Sequence, residues 1–98
     1  MPSSDESLKN QLNLETGQIA WPELQRHFAR GVVIKVGTEL DLVDVAVKFV
    51  KDDKTAIETW LNNGSIAHAN DDDAKTWTES AAIFWAVVVA PWVLIQEK

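Results

Sequence analysis

The sequence predicts an α+β fold: a small three- or four-stranded sheet with the C-terminal strand central, packed mainly on one face by a helical hairpin and short N-terminal helices. Three observations carry this. The run AAIFWAVVVAPWVLI, Ala81 to Ile95, passes without a charge and is broken only by Pro91. The stretch Glu39–Gly64 carries two helical patterns separated by Asp52 and Asp53. Between Gly31 and Gly37 lies the short β-branched run Val32–Val36.

The C-terminal run decides the architecture. Val87, Val88 and Val89 are stiff at χ1 and suit a pleated strand, and Pro91 would remove a helix hydrogen bond. A membrane span needs roughly 20 apolar residues; this run is shorter and lies between Glu79 and Glu97, so no membrane association is expected. One straight strand of this length is too long for so small a domain. The expectation is a bend at Ala90–Pro91 with strands near Ile83–Val89 and Trp92–Gln96. Strict alternation then groups Ile83, Trp85, Val87 and Val89 with Val93 and Ile95, and Phe84, Ala86 and Val88 with Trp92 and Leu94. Both faces are apolar, so both need cover, from helices or from a second chain.

Taken in order, residues 1–6 read as a flexible tail that holds a capping-box pattern, Ser3 to Glu6, ahead of a short helix over about Asp5–Leu14 with Leu8 and Leu12 on one face. Leu14–Gly17 reads as a break. A second helix runs through Pro22–Arg30, with Pro22 in its first turn, Gly31 after its end, and Trp21, Leu24 and Phe28 on one side. Val32–Val36 is a strand whose Lys35 points to an edge or a solvated face. Asp41 caps a helix from Leu42 to about Lys51, with Asp44 and Lys48 spaced as an ion pair. Val43, Val45, Val47 and Phe49 also alternate as a strand would; charge spacing and length favour helix. Asp52 and Asp53 break this helix and recap a further one, Lys54–Asn63, which buries Ile57, Trp60 and Leu61 and ends at Asn63–Gly64. Ser65–Ala69 is a strand, and Ala74–Glu79 a helix with Trp77 inward.

Residues 1–98 form one domain. With no cysteine, disulfides, thiolate metal sites and cysteine nucleophiles are excluded. No secretory signal opens the chain, so a cytoplasmic location is expected. The net charge of −6 disfavours a nucleic-acid partner, and the one basic segment, Arg26, His27, Arg30 and Lys35, reads as a helix side and end. No phosphate-cradling glycine loop, zinc-protease helix or nucleophile elbow is present. Neither a catalytic residue nor a cofactor is assigned.

Five tryptophans in 98 residues are the oddity. Trp21, Trp77 and Trp92 are the expected interaction surface, because tryptophan anchors contacts. The leading functional reading is a non-enzymatic module that self-associates or docks a protein partner. The alternative is a small enzyme or ligand-binding domain with its site near His68 and Asp71–Asp73. Consecutive aspartates at a helix start satisfy orphan amides and the helix dipole, and their spacing does not fit a calcium loop, so no metal is assigned to them.

The segments WPELQRHFARGVV (Trp21–Val33), LDLVDVAVKFV (Leu40–Val50) and WAVVVAPWVLIQ (Trp85–Gln96) resemble a family of small bacterial proteins known only as a domain of unknown function. The resemblance extends over nearly the whole chain after Leu14. It implies a bacterial cytosolic protein and carries no activity, cofactor, ligand or functional residue with it.

Overall fold

A computed structural model describes residues 4–97, with side chains from residue 7 onward. The capping box expected at Ser3–Glu6 lies outside the described side chains. The described residues form five helices and five strands: α1 (Ser4–Glu15), β1 (Gly17–Ala20), α2 (Trp21–Ala29), β2 (Val33–Val36), α3 (Leu42–Val50), α4 (Lys54–Asn63), β3 (Ile66–His68), α5 (Asp71–Ser80), β4 (Ile83–Val89) and β5 (Trp92–Glu97).

The strands make one mixed sheet in the order β1-β4-β5-β2-β3. Only β2 and β5 are parallel; the other three pairings are antiparallel. The α+β class is as expected, but the strand count is five rather than three or four. The additional strand is β1, which begins at Gly17, the last residue of the stretch read as a break. Its four residues carry little strand signal of their own and are fixed by pairing, Gly17 with Ala86 through Ala20 with Ile83. The C-terminal run supplies two neighbouring strands inside the sheet, β4 and β5, and β5 is the third of the five.

The hairpin register corrects the expected faces. Val89 pairs with Trp92 across the tight Ala90–Pro91 turn, and Val87 with Leu94. Ile83, Trp85, Val87 and Val89 therefore share a face with Trp92 and Leu94, and Phe84, Ala86 and Val88 share the other with Val93 and Ile95. Strict alternation through the turn would need an odd number of intervening residues; a two-residue turn inverts the phase.

Helices cover both faces, not mainly one. On the first, Val45, Ala46 and Val47 of α3 and Leu12 of α1 bury Val87, Leu94, Ile34 and Ile66. On the second, Trp21 and Leu24 of α2 and Trp77 of α5 bury Phe84, Val93, Ile95 and Val33. The result is three layers, and the requirement to cover a doubly apolar hairpin is largely met within the chain.

The helix starts follow the cap chemistry. Asp41 accepts from the amides of Val43 and Asp44, and Asp53 from that of Ala56. Gly64 ends α4 in the left-handed region at φ 80°. Two expected details differ. No residue of α4 is fully buried: Ile57 and Trp60 pack only at the margin of the first core, and Leu61 is exposed. Asp44 pairs not with Lys48 but with Lys9 of α1, at 2.8 Å, while Lys48 lies 3.6 Å from Asp53. The Asp44 carboxylate accepting from Lys9 raises that ammonium above its ordinary range. The contribution of the raised Lys9 value is present at neutral pH and is lost as pH rises through it.

Ala81 ends α5 at φ 51°, where a Cβ is unfavourable. Ala81→Gly should therefore raise unfolding free energy by about 0.5–1 kcal/mol. Leu94→Ala, at a fully buried position on β5, should lower it by about 2–5 kcal/mol. Urea titration of both variants tests the pair.

Candidate functional site

Three surface features have the shape or chemistry to bind something. The first is a cleft of about 400 Å³ on the second face. Its walls are α5, through Asp73, Thr76 and Trp77, and the turns after β2 and before β3, through Gly37, Thr38, Glu39, Gly64 and Ser65. Lys35, Ala67 and Glu97 also line it, above the buried Phe84 and Ile95.

The charges of this cleft are individually placed. Lys35 sits on β2 between β5 and β3, so it does not mark an edge; its side chain, 36% exposed, meets solvent in this cleft. Its ammonium lies 2.7 Å from an Asp73 carboxylate oxygen. The same oxygen accepts the Asn70 amide at 3.0 Å, and Asn70 Oδ1 accepts the Asp73 amide at 2.9 Å. That reciprocal pair is a capping box, so Asp73 serves both the start of α5 and the lysine. The Trp77 indole N–H donates to Glu97 Oε1 at 3.0 Å. The turn bearing Glu39 is tied down from β5: the Gln96 side-chain amide donates to the carbonyls of Gly37 and Leu40 at 2.9 and 2.7 Å.

A second cleft, of about 290 Å³, opens on the first face between α4 and the sheet. Phe49, Ile57, Leu61 and Trp92 line it, with His68, Asp52, Lys54 and Glu58 around them. The His68 and Trp92 rings meet edge to face, 5.6 Å between centroids.

The third feature is an exposed apolar patch. Ile83 and Trp85 of β4 are 48% and 38% exposed, and they lie beside the edge strand β1.

The structure divides the residues that the sequence picks out. Trp21 and Trp77 are buried, at 4% and 3% exposure, against each other in the second core, with ring centroids 5.3 Å apart. The Trp21 indole donates to the Thr78 hydroxyl at 2.8 Å, so both indoles find acceptors inside the fold, as buried tryptophans require. Of the expected interaction surface only Trp92 retains exposed area. His68 and Asp73 do not share a site, because β3 presents His68 to the first face while Asp73 reaches Lys35 on the second. Asp71 and Asp72 are exposed in the first turn of α5. Among the described residues, no three His, Asp or Glu side chains are grouped to hold a metal ion. Sequence reasoning passed over Glu39, Gln96 and the exposure of Trp85. The signal within reach was Lys35, a lone charge inside an apolar strand.

Among the described residues, fold and surface together define a three-layer α+β arrangement with clefts on both faces of the sheet and exposed apolar side chains beside β1. The chain belongs to the family described as "Protein of unknown function (DUF2288)", whose model matches residues 7–97. It is similar to PA1075 from Pseudomonas aeruginosa, a structure solved by NMR in solution. That likeness has 43% sequence identity and a TM-score of 0.83, and it covers 100% of this chain and 91% of the other. No curated protein matches the chain. Among the described residues, no helix is long and apolar enough to cross a membrane.

Gln96→Met removes the donor shared by two turn carbonyls. It should cost about 1–2 kcal/mol of stability and speed amide exchange at Leu40, whose N–H bonds to the Gly37 carbonyl. Denaturant titration and NMR exchange measurements on the variant check both effects.

Proposed function

We propose that this chain is a non-enzymatic protein-interaction module that self-associates, and that its β1 margin is the contact surface. The observation that carries this reading is the character of that margin. β1 is an edge strand reading Gly-Gln-Ile-Ala. Edge strands are normally blunted by charges, proline or bulges; β1 is short and has no charge and no proline. Beside it, Ile83 and Trp85 keep apolar area in water that burial against a partner would recover.

A second copy fits this margin better than an unrelated surface. Antiparallel pairing of β1 with its twin about a two-fold axis is self-complementary: each strand supplies the backbone donors and acceptors that the other lacks, and the sheet continues across the axis. The net charge of −6 disfavours contact elsewhere on the surface, whereas Gly17–Ala20, Ile83 and Trp85 bring no charge to the interface. Trp92 lies on the other side of the first face, by the second cleft, and takes no part in this contact.

Sedimentation of the untagged chain across a dilution series tests the proposal. A reversible dimer is expected. Gln18→Lys places a charge on the edge at an exposed position opposite Trp85; it should give a monomer with an unchanged circular dichroism spectrum. A parent chain that stays monomeric at the highest concentration, or a variant that dimerises as well as the parent, refutes it.

A further inference from the structure

We infer that α4 is a flap that opens as a unit from the first face while the rest of the fold stays closed. It packs on β3, at the opposite end of the sheet from the β1 margin, so the inference is independent of self-association.

Packing is the first argument. Each of the other four helices sends at least one buried side chain into a core: Leu12 of α1, Leu24 of α2, Val45 of α3 and Trp77 of α5. α4 sends none. Its apolar stripe, Ile57, Trp60 and Leu61, has the spacing of a helix face meant for burial. Yet Ile57 and Trp60 are only half-buried, and Leu61 is 42% exposed. The apolar burial that holds α4 shut is correspondingly small.

Polar anchoring is the second. α5 is tied to the sheet through Lys35–Asp73 and Trp77–Glu97, and α1 to α3 through Lys9–Asp44. Among the described residues, the side-chain hydrogen bonds of α4 stay within the helix and its caps. The Thr59 hydroxyl donates to the Thr55 carbonyl, the Asp53 carboxylate accepts from the Ala56 amide, and the Asn63 side chain accepts from the Ser65 amide. The ion pair at its start, Lys48 with Asp53, spans only the α3–α4 turn.

The ends of the helix are the third. α4 is flanked by two left-handed residues, Asp52 at φ 54° before its cap and Gly64 at φ 80° after its last turn. Element-terminal positions of this kind absorb the backbone change of a hinge, and Asp52, which carries a Cβ in that region, is released from it on opening. A detached helix of 10 residues is too short to persist in water, so opening also unwinds α4 and frees its amides. The cleft of about 290 Å³ already lies beside α4. Opening enlarges it and brings water to Ile34 and Ile66, which are buried in the closed form.

Hydrogen exchange of the isotope-labelled full chain, followed by NMR at low urea concentrations, reads the opening. The amides of Glu58–Leu61 are expected to exchange together, with one shallow urea slope, and faster than those of Val45–Val47 in α3, whose slope is that of global unfolding. Ile95→Val thins the second core, on the face that the flap does not touch. It should speed the α3 amides about two- to tenfold and leave the α4 amides at the parent rate. A common urea slope for α4 and α3, or equal acceleration of both by Ile95→Val, overturns the inference. So does exchange at Glu58–Leu61 that is graded from the helix ends with no urea dependence, which marks fraying alone.

Discussion

The β4–β5 hairpin has to be buried on both faces at once, and the rest of the chain is arranged to do it. β5 lies between β4 and β2, and β4 between β1 and β5, so the C-terminal hairpin joins a strand from the N-terminus to the β2–β3 pair. Phe84, Val87, Leu94 and Ile95 are almost wholly buried, each a side chain whose removal from water is worth about 1.5–3 kcal/mol. They alternate between faces, so neither helical layer can be lost without exposing part of the hairpin.

The two layers meet this demand with different chemistry. The α1/α3 side is aliphatic: Val45, Ala46 and Leu12 lie close over Val87 and Leu94. The small Ala46 lets α3 approach the sheet. The α2/α5 side is aromatic, with Trp21, Trp77, Phe28 and Phe84 meeting at tilted or edge-to-face angles. Each buried indole needs an acceptor from another element, and Thr78 and Glu97 supply them. No buried side-chain polar atom among the described residues lacks a partner. This accounting also shapes the surface, because α5 is drawn toward Glu97 and Lys35 and stands as the wall of the polar cleft. α4 sits at the margin, which leaves the second cleft open beside His68 and Trp92.

Local chemistry made much of this legible in advance. Asp41, Asp53 and Gly64 mark the ends of α3 and α4 through caps that act within a few residues, and Pro91 marks the hairpin turn. The helix reading of Leu42–Val50 prevailed over its rival alternation because the segment carries a cap and buries a broad face rather than one strand side. What stayed hidden depends on distant pairing. β1 is a strand only because β4 lies beside it. The hairpin faces depend on a two-residue turn that inverts the alternation. Trp21 and Trp77 meet across two helices on one side of the sheet, so composition could not tell these core residues from surface anchors. The cleft was hidden for the same reason, since Glu39, Gln96 and Asp73 are brought together by the sheet and not by any local motif. His68 and Asp71–Asp73 show the converse, close in sequence and divided by the sheet between them.

Native-state hydrogen exchange, followed residue by residue across low urea concentrations, tests the keystone role of the hairpin most directly. If the hairpin joins the two halves of the sheet, the amides of Val93–Ile95 exchange only through global unfolding, together with those of β2 and α3. The Val93 amide, bonded to the Val32 carbonyl at 2.9 Å, is the most telling single probe. If β5 instead exchanges through a partial opening that leaves β2 and α3 protected, the hairpin is an appendage and the account fails.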